Sequence, residues 1–288
     1  MKKFLLFFAL ISLNINLFSF EWPLSDVNKD SFKSYFSQLR GKKISTSLIF
    51  KDPEEVKSAE EGRILIIIED PEDDSDFFPS VLGTAVIISH EDNLHSVYAN
   101  LDSESLTLNY SNDTFIEEGS ILGNTGNTGW QEDENSLEFQ IIDTKNTSSI
   151  NPKVLMTRLE SENKYNLSDI SLVNRNGEKF PLNTNKTFPA GLYKVYQKRN
   201  PVITPAKTTV LYNGIIVDEL LYNTIIQENG KVCIKGSKKK YTCSEVYPKD
   251  NMFLLGEAML TPGKITLGIA ITDSLGQFYT LNYNLITY

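Results

Sequence analysis

Short apolar blocks separated by turn residues dominate the chain. ILIII at 64–68 is a continuous apolar run, the pattern of a strand buried on both faces. TAVIIS at 84–89 and HSVYANL at 95–101 follow with the same β character. From residue 169 a second series appears: DISLVN, GLYKVYQ, TTVLYNGIIVDELLYNT, KVCIKG, KITLGIAIT and QFYTLNYNLITY. Turn residues separate these pieces at the intervals of a β-sandwich. Asn213-Gly214, between VLY and IIV, is a two-residue hairpin signal. One stretch reads as helical: Asp30 is placed as an N-cap for the amphipathic SFKSYFSQLR, which stops at Gly41.

The pattern predicts an all-β chain in two domains. The parts are a leader at 1–19, a helical lead-in at 20–43, a first β domain at 44–156, a polar linker at 157–168 and an immunoglobulin-like sandwich at 169–288. A length of 288 residues suits two domains. Aromatics at 11%, including 13 Tyr and 16 Phe, also favour strands, because flat rings pack well on a pleated surface.

The leader has the layout of a secretory signal. Lys2 and Lys3 form a basic start, Phe4 to Phe18 is apolar apart from Ser12, Asn14 and Asn16, and Leu17 and Ser19 suit cleavage before Phe20. An uncleaved anchor is the alternative, but the run is short for a span of about 20 residues. No Cys stands near the cleavage point for lipid attachment, and no later segment is long and apolar enough to cross a bilayer. The expected location is outside the cytoplasm, in the periplasm or cell envelope. Losing Lys2 and Lys3 takes the formal charge from −9 to −11. Such a field does not draw nucleic acid or anionic wall polymers, so any wall contact must come from a shaped groove.

Cys233 and Cys243 are the two cysteines. In an exported chain, CIKGSKKKYTC with its Lys235-Gly236-Ser237 turn is expected to close a disulfide across a hairpin, contributing about 2–3 kcal/mol. The acidic loop EDPEDDSDFFPS at 69–80 fits no calcium-loop spacing and reads as solvated. GSILGNTGNTG at 119–129 carries four Gly without the Lys-Ser/Thr of a phosphate loop. Turns and close backbone packing account for them.

Four segments in order give the first domain a family likeness. VKSAEEGRIL at 56–65, GTAVIISHEDNLHSVYANL at 83–101, FIEEGSILGNTGNTG at 115–129 and SLEFQIIDTKNTSSINPKVL at 136–155 resemble the backbone markers of the LytM/lysostaphin-type zinc endopeptidases. The resemblance covers residues 41–156 and implies the duplicated hybrid motif β-sheet fold of that family. It also implies a zinc held by the His and Asp of an H-x-x-x-D motif and the last His of an H-x-H. A catalytic zinc keeps three protein ligands and one open position, where it activates water and polarises the scissile carbonyl.

At the matching positions this chain departs from the family. The H-x-x-x-D motif falls on STSLI, with Ser45 for His and Ile49 for Asp. The Y-A-H-L His is Asn100, and the H-x-H pair is Ser136 and Glu138. No His precedes His90, and Asp52 lies beyond the expected place. His90 and His95 flank the turn EDNL and are expected as a strand-end pair at the surface; as metal ligands they would need further partners, with Glu91 and Asp92 the nearest candidates.

These substitutions favour a non-catalytic envelope protein without a cofactor, one that binds peptidoglycan or regulates a cell-wall hydrolase. Catalytically dead members of the family that activate wall amidases make this role an implication of the resemblance. Two alternatives stand beside it. One is an active zinc endopeptidase with ligands relocated to His90, His95, Glu138 or Asp52. The other is a structural module acting through the C-terminal sandwich.

Overall fold

The computed structural model describes residues 20–51, 54–69, 80–107, 115–129, 135–200, 203–248 and 251–288. The leader, Asp52 and residues 70–79 of the acidic loop lie outside the described residues. Strands dominate the described residues, among which the longest helix is the four-residue turn Cys243–Val246.

The first domain is organised by one antiparallel sheet. Its order is Phe115–Ile116, Gly62–Ile68, Thr84–Ser89, Leu94–Leu101 and Leu137–Asp143. Beyond Leu137–Asp143 the neighbour changes halfway along. Residues 137–139 pair with Leu48–Phe50, and residues 141–143 pair with Ser148–Ile150. Alternation along LEFQIID buries Leu137, Phe139 and Ile141 completely and turns Glu138 and Gln140 to the other face.

Ser148–Ile150 also pairs with residues 224–226 of the long strand Ile215–Glu228, so the sheet runs on into the second domain. There it continues through Lys207–Tyr212, Gly263–Thr272 and Phe278–Thr287. A second sheet, in the order Lys179–Pro181, Ser171–Asn174, Gly191–Lys198 and Met252–Leu260, packs against it. Tyr222 Oη donates to the Leu254 carbonyl at 2.6 Å and Thr208 Oγ1 to that of Leu255 at 2.7 Å, joining the two layers. Asn213 and Gly214 form the expected hairpin turn: both have positive φ, at 51° and 81°, as a type I′ turn requires.

Three expectations are corrected. The helical lead-in is absent: SFKSYFSQLR forms the strand Phe32–Ser34 and one arm of the hairpin Leu39–Arg40/Lys43–Ile44. Ser37 at φ 61° ends any helical path, and Phe32 packs instead in an aromatic cluster with Trp22, Tyr35 and Phe50. ILIII is not buried on both faces. Leu65 and Ile66 are 47% exposed while Ile67 is buried, because a bulge between Ile64 and Ile66 shifts the register. Finally, Cys233 and Cys243 are free thiols. The hairpin register sets Cys233 opposite Thr242, so Cys243 falls one step beyond, at the start of the helical turn that Thr242 and Glu245 cap.

Candidate functional site

Glu138 is the centre of the candidate site. Its register partners are Ile49 on one side and Ala99 on the other, so Ile49 and Glu138 occupy neighbouring places on the same face. Ile49 is 3% exposed and offers only hydrocarbon. Four residues earlier, Ser45 is buried and donates its hydroxyl to the Ser47 carbonyl at 3.2 Å. Ser47 Oγ in turn donates to Glu138 Oε1 at 2.7 Å. The same carboxylate oxygen accepts from Arg40 Nη1 at 2.8 Å in an ion pair that is partly exposed. Arg40 comes from the hairpin Leu39–Arg40/Lys43–Ile44, which turns through Gly41 at φ 60°.

A second cluster surrounds Asn100, which is fully buried at φ 66°. Its Nδ2 donates to the Gly126 carbonyl at 2.6 Å and the Ser136 carbonyl at 2.8 Å, and lies 3.1 Å from Ser136 Oγ. Its Oδ1 accepts from the Gly129 amide at 2.7 Å. The side chain is therefore committed to holding the glycine loop and the start of the Leu137–Asp143 strand. A Cβ at Gly126 would stand 2.4 Å from the backbone of Leu101 and Asp102, so only glycine lets this loop approach. Ser136 is completely buried, and it lies two residues from Glu138 on the same strand face.

Arg40 and Ser47 were not indicated by the sequence reasoning. Ser47 carried a faint signal, since it follows Ser45 at strand spacing. Arg40 carried none, because it lies 98 positions from its partner.

The residues do not fit a zinc ion. Three convergent ligands are needed, and these positions offer one hydroxyl, one hydrocarbon side chain and one carboxylate already bound by a guanidinium. A fixed positive charge on Glu138 opposes a second cation there. Among the described residues no group of three or more His, Cys, Asp or Glu is arranged to hold a metal ion.

The histidines do not form the expected surface pair. His90 is buried against Phe20, with ring centroids 5.1 Å apart. Its Nδ1 lies 2.7 Å from the Glu61 carbonyl and its Nε2 2.7 Å from Ser96 Oγ. Burial holds its pKa below the usual imidazole value. His95 precedes Ser96 on the Leu94–Leu101 strand, so its side chain points to the opposite face of the sheet.

Comparison with known proteins now places the domain. The profile described as peptidase family M23 matches residues 44–152, and a second profile, without a description, matches residues 164–288. An uncharacterized protein of Treponema pallidum (strain Nichols) is 31% identical over 122 residues, covering 40% of this chain and 80% of that one. Among solved structures, Helicobacter pylori Csd3 is similar at 22% identity and TM-score 0.36, over 51% of this chain and 36% of its own. Lysostaphin is similar at 13% identity and TM-score 0.37, over 94% of this chain and 91% of its own. The SpoIIQ–SpoIIIAH pore-forming complex supplies a match at 18% identity and TM-score 0.39, over 50% and 94%. Residues 44–152 of the chain are thus a domain of peptidase family M23.

Proposed function

We propose that this is an exported cell-envelope protein whose M23 domain is non-catalytic and serves to bind peptidoglycan or to regulate a cell-wall hydrolase. One observation carries the reading: Glu138, at the position of a zinc ligand, is taken up by Arg40 and Ser47, while buried Ile49 stands beside it where the family has its Asp. Asn100 supports it from the other side, since its amide is spent on backbone groups and has no proton to exchange near neutral pH. The C-terminal half is read as an immunoglobulin-like sandwich that presents the M23 domain to its partner. The sequence pattern of the leader supports export.

The test uses the purified full mature chain on insoluble peptidoglycan with added zinc. The expected result is no release of soluble fragments above a heat-inactivated control, together with co-sedimentation of the protein. Chelator-sensitive release of fragments overturns the reading. If the protein neither sediments with peptidoglycan nor changes the activity of wall hydrolases, the binding and regulatory roles are both removed.

A further inference from the structure

A cleft of about 460 Å³ lies on the seam between the two domains and shares no lining residue with the Arg40–Glu138 cluster. It arises from the strand pairing. Along one edge of Ile215–Glu228, Lys207–Tyr212 is the neighbour up to Leu221, and Ser148–Ile150 takes over at Thr224. Lys231–Gly236 covers the opposite edge through both regions. The two neighbours diverge where one hands over to the other, and Leu221, Asn223 and Thr224 line the gap. A cleft at a domain seam, with mixed apolar and polar walls and this volume, has the character of a small-ligand site.

The wall chemistry points to the class of ligand. Trp22, Met156, Leu159 and Leu275 supply apolar surface. The indole is fixed by its Nε1 donating to the Thr157 carbonyl at 2.9 Å. Two acids at the cleft are already committed. Glu162 binds Lys153 Nζ at 2.6 Å, with both side chains under a tenth exposed. Asp273 accepts from the amides of Leu275 and Gln277 at 2.9 and 2.8 Å. The cations are not balanced in the same way. Arg158 is exposed and makes no hydrogen bond or ion pair among the described residues, and Lys207 meets only Glu219, at 3.1 Å, in a pair about one-third exposed. The uncommitted guanidinium of Arg158 offers a carboxylate a bidentate partner in the cleft, local to it and against the general repulsion of a chain of formal charge −9.

We infer that this interdomain cleft binds a small carboxylate-bearing ligand of monosaccharide or dipeptide size, with its carboxylate at Arg158 and its body against Trp22. Because both domains contribute walls, the bound ligand also fixes one domain against the other. The cleft does not depend on the fate of the zinc positions, so the inference stands apart from the non-catalytic reading.

Matched probes test it by calorimetric titration of the full mature chain: glucuronate against glucose, and Ala-Ala against its C-terminal amide. The expected result is saturable binding of at least one acid in the micromolar to millimolar range, and at least about tenfold weaker binding of its neutral counterpart. Which acid binds identifies the source as sugar or peptide. Arg158→Ala, at an exposed position, keeps the wild-type melting temperature and weakens binding at least about fivefold. Arg175→Ala, which removes an exposed guanidinium outside the cleft, leaves binding unchanged. Absence of binding by either acid at about 10 mM, equal binding of acid and neutral probes, or no effect of Arg158→Ala overturns the inference.

Discussion

Replacing Glu60 by Gln should make this protein more stable at pH 8 while leaving it nearly unchanged at pH 4. Glu60 is 8% exposed. Burial pushes its carboxyl up from 4.5 to about 7, helped by repulsion from Glu118, Glu61, Asp92 and Glu91. The folded chain therefore holds a proton that the unfolded chain has released above about pH 4.5. Below that value the group is protonated in both states and its contribution to stability is intact. Between about 4.5 and 7 the folded state binds more protons, so stability falls as pH rises, and above 7 the whole loss is expressed. A shift from 4.5 to about 7 corresponds to roughly 3 kcal/mol. Urea unfolding of wild type and Glu60→Gln across pH 4–8 reads this directly. The variant should gain on the wild type progressively through that window, reaching about 2–3 kcal/mol at pH 8. Parallel profiles for the two proteins would refute the argument, because they would show that Glu60 ionises alike in the folded and unfolded chain.

Other outcomes follow from the hydrogen bonds. Asn100→Ala removes a fully buried amide that holds three backbone groups and should cost about 2–4 kcal/mol in urea unfolding, since those groups lose their partner and the left-handed backbone loses a tolerant residue. Tyr247→Phe deletes the 2.6 Å hydrogen bond to the Ser37 carbonyl. It should cost about 1–2 kcal/mol and speed amide exchange in residues 38–45, read by hydrogen-exchange mass spectrometry. Both cysteines should react with a thiol reagent after denaturation. In the folded protein burial raises both thiol pKa values, so labelling at pH 7 should be slow. A mass showing two hydrogens lost and no labelling after denaturation contradicts the free-thiol state.

What could be seen in the sequence was what local periodicity records. The strands at 84–89 and 95–101, and the Asn213-Gly214 turn, are set by neighbours within a few residues, and they formed as expected. The lead-in failed for an instructive reason. Phe32, Tyr35, Phe36 and Leu39 recur at helical spacing, yet the aromatic cluster with Trp22 and Phe50 accepts the same rings from an extended path. The cysteines misled because closeness in sequence does not fix register, and one residue of offset turns a side chain away. Ser45, Ile49, Ser136 and Glu138 are proposed as site positions from the motif order alone, and the guanidinium at Glu138 depends on a hairpin 98 residues away and has no local signature.

Asn100 and Glu138 act as structural ties within the M23 domain. Asn100 joins the glycine loop to the start of the Leu137–Asp143 strand. Glu138 anchors the Arg40 hairpin on that same strand. The base of the hairpin is gripped by the second domain, where Tyr247 and Thr204 donate to the carbonyls of Ser37 and Phe36 at 2.6 and 2.7 Å. The sheet itself crosses the seam through residues 148–150 and 224–226. Buried polar groups that are fully paired hold their neighbours in one arrangement, whereas the same groups left unpaired would destabilise it. The Arg40–Glu138 cluster and the domain junction are thus linked through one hairpin, so a partner that prises Arg40 from Glu138 must also work against the contacts that hold the second domain in place.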